Sequence, residues 1–475
     1  MRGVIWSSVT VIVPTLTSSA VFIISSRYLS PVDFGLVALA ASIGSFVSAI
    51  APAAFAEALV QRSQISRSHL DTIFWLCFGS SLVLYALLIA LSEPIARLTG
   101  APLMAALLPV LGSRVLFDLA AAVPNALIIR SMRFNLFALR TTVAAIVSGI
   151  LCIGLLLFGF GLWALAVSQV TVSVIACVAS FLSVEWRPRF AFSLQSLRQI
   201  AHYGIFASGN RFMQMMSLDQ IAFGSLAGPA ALGIFNFARR VFLMLNDVIA
   251  GALGNVSHTL LSSLQNDQRK VREAFLLATY GSALISFPAF AGLAIVADDV
   301  VPLIFDPKWI PAVLPLQGFC AIGLLSCIGV IQASLFKSQN REAWWFYYQL
   351  ISQVATILIV AFGYSYGVDA VVIAIAVKTY LFWPASVGMA SRLVGISQAT
   401  YLKQFLAPAG AALAMAAVVL GLRHFLSDEE QLLRLAIEVF AGGLVYLVIV
   451  AIASRHRLKP LVALVRARRQ KLSVA

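Results

Sequence analysis

The chain has 475 residues and a formal net charge of +14, and 61% of its residues are hydrophobic while only 11% are charged. Soluble globular domains contain about 25% charged and about 45–50% apolar residues. The polar side chains are too few to cover a water-soluble particle of this length. The composition therefore excludes a soluble protein and predicts an integral membrane protein.

Fourteen apolar stretches predict membrane-spanning helices, because one crossing needs about 20 apolar residues that satisfy their own backbone hydrogen bonds. In chain order they lie at 4–26, 34–56, 72–92, 103–129, 141–159, 161–183, 201–226, 232–258, 274–297, 311–336, 344–363, 368–390, 404–425 and 433–453. The first stretch is longer than the apolar region of a signal peptide, so we expect it to be retained.

A short motif occurs twice between apolar stretches. Pro31 and Gly35 in "SPVDFG" recur as Pro229 and Gly233 in "GPAALG", and "NALIIRSMR" recurs as "QASLFKSQN". The order and the predicted membrane side of these landmarks are the same in both copies, which indicates a duplicated unit. Six spans per copy make the copies parallel. The predicted domains are an N-terminal lobe, a C-terminal lobe and two further helices with a basic tail, at residues 1–200, 201–395 and 396–475.

The predicted fold class is therefore an all-α integral membrane protein with two parallel six-helix lobes and two C-terminal helices. Each motif predicts a helix start within this fold. Ser30 is a suitable N-cap, Pro31 suits the first helical position, and Asp33 is spaced to complete a capping box. Gly35 and Gly233 permit the close approach of another helix. We interpret both motifs as structural.

The distribution of charge predicts that both termini are cytoplasmic. In that orientation most of the 33 Lys and Arg residues lie in cytoplasmic segments, and more than half of the 19 acidic residues lie outside. Such a bias retains loops on the cytoplasmic side. The net positive charge is thus explained by orientation and by contact with anionic lipid headgroups of the phospholipid bilayer. No nucleic-acid partner is predicted.

Ionisable side chains inside predicted spans are candidates for function, because they are costly in a bilayer. Arg114, Asp118 and Asn125 fall on one stripe of the span 103–129. The alternative is that Arg114 and Asp118 neutralise each other as an i,i+4 ion pair.

Later spans add further candidates, and basic residues exceed acidic ones within the spans. A cationic interior suits an anionic passenger such as a phosphate. The predicted substrate-binding residues are Arg27, Arg211, Arg240 and Lys378. The predicted polar or coupling residues are Asn210, Asp219, Asn236, Asp247, Asp118 and Arg114. Arg27 has the alternative of snorkelling to the headgroups.

Motifs for catalysis are missing from the sequence. It contains no Walker-type phosphate loop and no His-Glu-x-x-His pattern, and all five cysteines fall inside predicted spans. We interpret Asp298-Asp299 as an acidic loop at the bilayer edge rather than as a metal-binding pair. No catalytic residue, metal or organic cofactor is predicted, and the protein is not expected to be an enzyme.

Five segments in order, "YLSPVDFGLVALA", "ALVQR", "PNALIIRSMRF", "LDQIAFGSLAGPAALGIFNFA" and "KWIPAVLPLQ", carry a family resemblance. The chain resembles the polysaccharide transporter family of bacterial lipid-linked oligosaccharide flippases (Wzx-type), within the superfamily that includes the multidrug exporters called MATE. The resemblance implies two facing six-helix lobes and two outer helices. Asp219 looks like an acidic residue common at this position of the family.

The resemblance also implies a function. An undecaprenyl-diphosphate-linked oligosaccharide would be turned across the bacterial inner membrane by alternating access, for exopolysaccharide or lipopolysaccharide biosynthesis. A proton or sodium ion would be the coupling ion, and a glycan polymerase and a chain-length regulator are the candidate protein partners.

Two other functions stay open at this point. A multidrug or cation antiporter of the same fold predicts a cavity dominated by acidic residues. A membrane glycan polymerase or ligase predicts a large external loop that carries an active site.

Overall fold

The described part of the protein consists mainly of α-helices. The computed structural model describes residues 2–62, 64–201, 204, 217–426 and 429–453. The residues in these ranges contain no β-strand. The chain divides into two compact units, Met1–Phe237 with Val360–Gly367, and Ala238–Ile359 with Val368–Ala475.

The helices are numbered in chain order. Up to Ala227 they are α1 (Arg2–Tyr28), α2 (Pro31–Ile50), α3 (Phe55–Gln61), α4 (Arg67–Leu98), α5 (Met104–Gly112), α6 (Arg114–Ala120), α7 (Ala122–Arg130), α8 (Phe134–Leu157), α9 (Leu162–Leu182) and α10 (Leu218–Ala227). They continue with α11 (Pro229–Ser263), α12 (Gln268–Val300), α13 (Val313–Ser338), α14 (Glu342–Gly363), α15 (Gly367–Val394), α16 (Gln398–Phe425) and α17 (Gln431–Ala453).

Helix length and composition support a multi-pass membrane protein. Among the described ranges, nine helical segments are long and apolar enough to cross a membrane, and a pair bent by 41° gives a tenth. One segment, Glu342–Val394, has 53 residues and includes two of the predicted spans. Large apolar side chains such as Val83 and Ile150 are 68% and 67% exposed, which requires a lipid environment. The total of fourteen spans stays a prediction.

The predicted span 103–129 is not one continuous helix. It is divided into α5, α6 and α7, with a bend of 41° where α6 meets α7. Pro124 has no N–H to donate to the carbonyl of Ala120, and the helix breaks at Ala121 between them. The stripe predicted for Arg114, Asp118 and Asn125 assumed a straight helix, so the bend changes the direction of its Asn125 end.

The first hairpin motif starts α2 as its residues predict. The Asp33 N–H donates to Ser30 Oγ at 3.2 Å, and the Ser30 N–H donates to Asp33 Oδ2 at 3.0 Å. The predicted capping box therefore forms, with Pro31 in the first turn. The second motif starts α11 at Pro229, after Gly228 with a φ of 86°.

The two motifs pack against each other, backbone to backbone. A Cβ atom placed on Gly35 would overlap the carbonyl oxygen of Pro229, and one placed on Gly233 would overlap the carbonyl oxygen of Pro31. Each motif thus supplies one glycine and one proline carbonyl to the same contact. The sequence predicted a close approach at these glycines but did not identify the two motifs as partners.

Ion pairs join the two C-terminal helices to α12. Asp299, with its side chain only 2% exposed, contacts Arg423 of α16 at 3.4 Å and also contacts Arg434 of α17. Arg423 also contacts Asp298 at 3.0 Å. The expectation of an acidic loop at these two aspartates was wrong, because both lie in the last turn of α12.

We expect Gly35→Ala or Gly233→Ala to lower the stability of the protein by about 1–3 kcal/mol, because a backbone carbonyl cannot move aside as a side chain can. Gly154→Ala in α8 is the matched control, since a Cβ there has no atom within 4 Å. The measurement is the thermal midpoint of the purified protein in detergent. Equal midpoints for the Gly35→Ala and Gly154→Ala variants would contradict this account.

Candidate functional site

A polar cavity of about 310 Å³ lies in the first unit. Helices α2, α5, α6, α7, α8 and α9 contribute to its wall. The polar residues of the wall are Ser45, Ser48, Arg114, Asp118, Asn125, Arg140 and Ser173. The structure therefore brings together the three residues predicted as a stripe, and it adds a second arginine.

Arg140 is fixed in the wall by hydrogen bonds. Its side chain donates to Asn125 Oδ1 and, at 2.9 Å, to Ser180 Oγ. Ser180 Oγ in turn donates to Asn125 Oδ1 at 2.8 Å. The guanidinium lies 4.4 Å from the centroid of the Phe137 ring, a cation–π distance. Arg140 is only 9% exposed, so this network holds a positive charge within the helices.

Arg114 and Asp118 do not form the intrahelical ion pair that the sequence left open. Arg114 Nη1 donates to Gln169 Oε1 at 2.7 Å, and its Nε donates to Ser173 Oγ at 3.4 Å. Both acceptors lie on α9, so Arg114 is directed across to that helix. Asp118 is exposed at the cavity and makes no hydrogen bond or ion pair to the residues that the structure describes.

Arg140 was not among the predicted site residues, because the predicted span begins at 141, directly after the charge. Helix α8 begins at Phe134, so Arg140 is almost two turns inside it. The apolar residues Leu136, Phe137 and Leu139 precede the arginine. That run was the signal that the helix starts earlier.

Lys378 lies in the second unit, in α15. Its Nζ donates to Ser352 Oγ at 3.0 Å, to the Ser352 carbonyl at 3.3 Å and to Thr356 Oγ1 at 2.9 Å. These acceptors lie on α14, one turn apart. A half-buried ammonium is thus solvated by hydroxyl and carbonyl oxygens.

The other predicted residues that the structure describes lie on α1, α10 and α11. Arg27 is exposed in the last turn of α1, and Asp219 is 8% exposed in the first turn of α10. Asn236 donates to the Leu232 carbonyl of its own helix at 3.2 Å. Arg240 and Asp247 are both exposed on α11. Asn210 and Arg211 lie outside the described residues.

No group of three or more His, Cys, Asp or Glu side chains that could hold a metal ion occurs in the described part of the chain.

We expect Asn125→Ala to destabilise the protein by about 2–3 kcal/mol, because it leaves the buried Arg140 without one acceptor. Arg140→Leu removes the charge that needs Asn125 as an acceptor. The double variant should therefore lose less stability than the sum of the two single variants, measured by denaturation in detergent.

The matched control is the exposed pair Arg97–Glu93, whose side chains are 78% and 61% exposed. Its single variants should have small effects that add. Strict additivity for Asn125 and Arg140 would show that the network is not coupled.

Comparison with known proteins agrees with a membrane transporter. The model of the family described as polysaccharide biosynthesis protein matches residues 24–314. The succinoglycan biosynthesis transport protein ExoT of Rhizobium meliloti (strain 1021) is 27% identical over 469 residues, which cover 95% of this chain and 92% of that protein.

Two solved structures share the fold. The lipid II flippase MurJ in an inward closed conformation aligns with a TM-score of 0.77 at 16% identity, covering 95% of this chain and 99% of that one. An inward-facing MATE family multidrug resistance transporter aligns with a TM-score of 0.58 at 18% identity, covering 83% and 99%. The match to the family model over more than half of the chain identifies this protein as a member of the polysaccharide biosynthesis protein family, a multi-pass membrane transport protein with a fold shared by MurJ and MATE proteins.

Proposed function

We propose that the protein is a flippase for an undecaprenyl-diphosphate-linked oligosaccharide repeat unit. It would move this unit across the bacterial inner membrane, from the cytoplasmic to the outer leaflet, for exopolysaccharide or lipopolysaccharide biosynthesis. Family membership and the transport protein ExoT support polysaccharide precursors as the cargo class.

One observation carries the proposal: two arginines and one aspartate line a cavity inside a transporter of this family. A positive charge within membrane helices attracts an anionic headgroup and matches phosphate or carboxylate oxygens. The surplus of positive charge in the cavity opposes a cationic passenger. Only the shared fold therefore supports the alternative of a drug antiporter.

The remaining predicted residues take roles in the same proposal. Basic side chains would attract the diphosphate or acidic sugars, and aspartates would balance them or carry a coupling proton or sodium ion. The basic set is Arg27, Arg211, Arg240 and Lys378, and the acidic set is Asp219 and Asp247. Alternating access, cytoplasmic termini, and association with a glycan polymerase and a chain-length regulator belong to the proposal as well.

We expect Arg114→Ala and Lys378→Ala to lower polymer export at least about tenfold, since a hydrogen bond to a charged group contributes about 1.5–3 kcal/mol. The measurement is surface polymer and accumulated lipid-linked repeat units in cells whose own copy of the gene is deleted. Arg97→Ala, at an exposed position outside the cavity, should restore export to the level of the unmodified protein.

Membrane levels of each variant are measured in the same cells. Full export by both the Arg114→Ala and the Lys378→Ala variant, at normal levels of protein in the membrane, would contradict the proposal that these two cations contact the cargo.

A further inference from the structure

Arg114 and Asp118 each leave hydrogen-bonding capacity unused in the same cavity. Arg114 commits Nη1 and Nε to α9, and none of the hydrogen bonds among described residues uses its Nη2. Asp118, one turn further along α6, is exposed at the cavity and bonded to no described side chain. The Nη2 donor of Arg114 and the carboxylate acceptor of Asp118 therefore face the same cavity, and they are not bonded to each other.

The charges of the cavity leave a surplus of one positive charge. Arg114 and Arg140 are cations, and Asp118 is the one acidic residue among the described residues of the cavity wall. Arg140 donates to Asn125 and Ser180 from Nη1, and its buried Nε has no hydrogen-bond partner among the described residues, so its charge is held in the wall of the cavity. A ligand with a single negative charge would neutralise the site.

The size and the remaining wall restrict the ligand further. A volume of about 310 Å³ is at the lower end of small-molecule sites, which range from about 300 to 1,000 Å³. It suits one sugar ring rather than an oligosaccharide or a lipid chain. Ser45, Ser48 and Ser173 add hydroxyl groups that can both donate and accept.

We propose that this cavity is a subsite for one acidic sugar, a pyranose that carries a carboxylate. Arg114 donates to the carboxylate from Nη2, and Asp118 accepts hydrogen bonds from the ring hydroxyls. The inference rests on the proposed function and deepens it, because it assigns the first unit to the glycan part of the headgroup.

A diphosphate is the competing anion, and the charges oppose it. It carries more than one negative charge and no hydroxyl donor for Asp118, so the aspartate repels it at short range. An acidic sugar uses both the donor and the acceptor.

The test is equilibrium binding to the purified full-length protein in detergent, with sodium glucuronate, glucose and pyrophosphate as separate probes. We expect glucuronate to bind at least about tenfold more tightly than glucose and more tightly than pyrophosphate. Arg114→Gln should weaken glucuronate binding at least about tenfold and leave glucose unchanged. Arg97→Gln is the control and should change neither.

A second variant should change the binding of two probes in opposite directions. Asp118→Asn removes one of the two acceptor oxygens and raises the net charge of the site, so it should weaken glucose binding and strengthen pyrophosphate binding. Arg114→Lys keeps the charge but lacks the Nη2 donor, and it should weaken glucuronate binding less than Arg114→Gln does. If Arg114→Gln does not fold, this variant and Asp118→Asn decide the question.

The subsite is overturned if glucuronate binds no more tightly than glucose, if pyrophosphate binds more tightly than glucuronate, or if Arg97→Gln matches Arg114→Gln. Binding of a free sugar does not require transport across a membrane. Glucuronate binding without any flipping would therefore refute the proposed function and leave the subsite standing. Flipping of the lipid-linked oligosaccharide without a preference for glucuronate would refute the subsite and leave the proposed function standing.

Discussion

A charge inside a membrane helix needs hydrogen-bond partners nearby, because the bilayer supplies no water to solvate it. Three charges illustrate this constraint. Arg140 is hydrogen-bonded to Asn125 and Ser180, Lys378 is hydrogen-bonded to oxygens of α14, and Asp299 forms ion pairs with arginines of α16 and α17. In each case the partners come from a different helix, so solvating the charge also fixes the helices relative to each other within their unit.

The candidate site is the cavity of the first unit. Asp118 and Arg114 Nη2 make no hydrogen bond to any described residue there. Arg140 donates to Asn125 and Ser180 through Nη1, while its buried Nε has no hydrogen-bond partner among the described residues. In a family of polysaccharide transport proteins, unused donors and acceptors inside the membrane are most economically explained by the cargo. The break at Ala121 lies between α6, which carries Arg114 and Asp118, and α7, which carries Asn125.

Much of the helical framework followed from the sequence, since apolar length and capping chemistry are local properties. The spacing of Ser30 and Asp33 predicted the capping box, and the apolar runs gave the ends of most helices to within a few residues. Contacts between distant segments did not follow. Periodicity identifies the face of a helix but not what it meets, so the pairing of Gly35 with the Pro229 motif was missed. Arg140 was missed for a different reason: a charge was taken as the end of an apolar run although the helix continues through it.

The proposed cargo is an anionic lipid-linked glycan rather than a cation. The most direct measurement uses purified protein in proteoliposomes that contain a fluorescent undecaprenyl-diphosphate-linked oligosaccharide on one leaflet, with a membrane-impermeant quencher outside. We expect the protein to increase the rate at which the headgroup changes leaflet, relative to protein-free liposomes, and not to transport a lipophilic drug cation. Transport of the cation with no acceleration of the lipid-linked glycan would contradict this proposal.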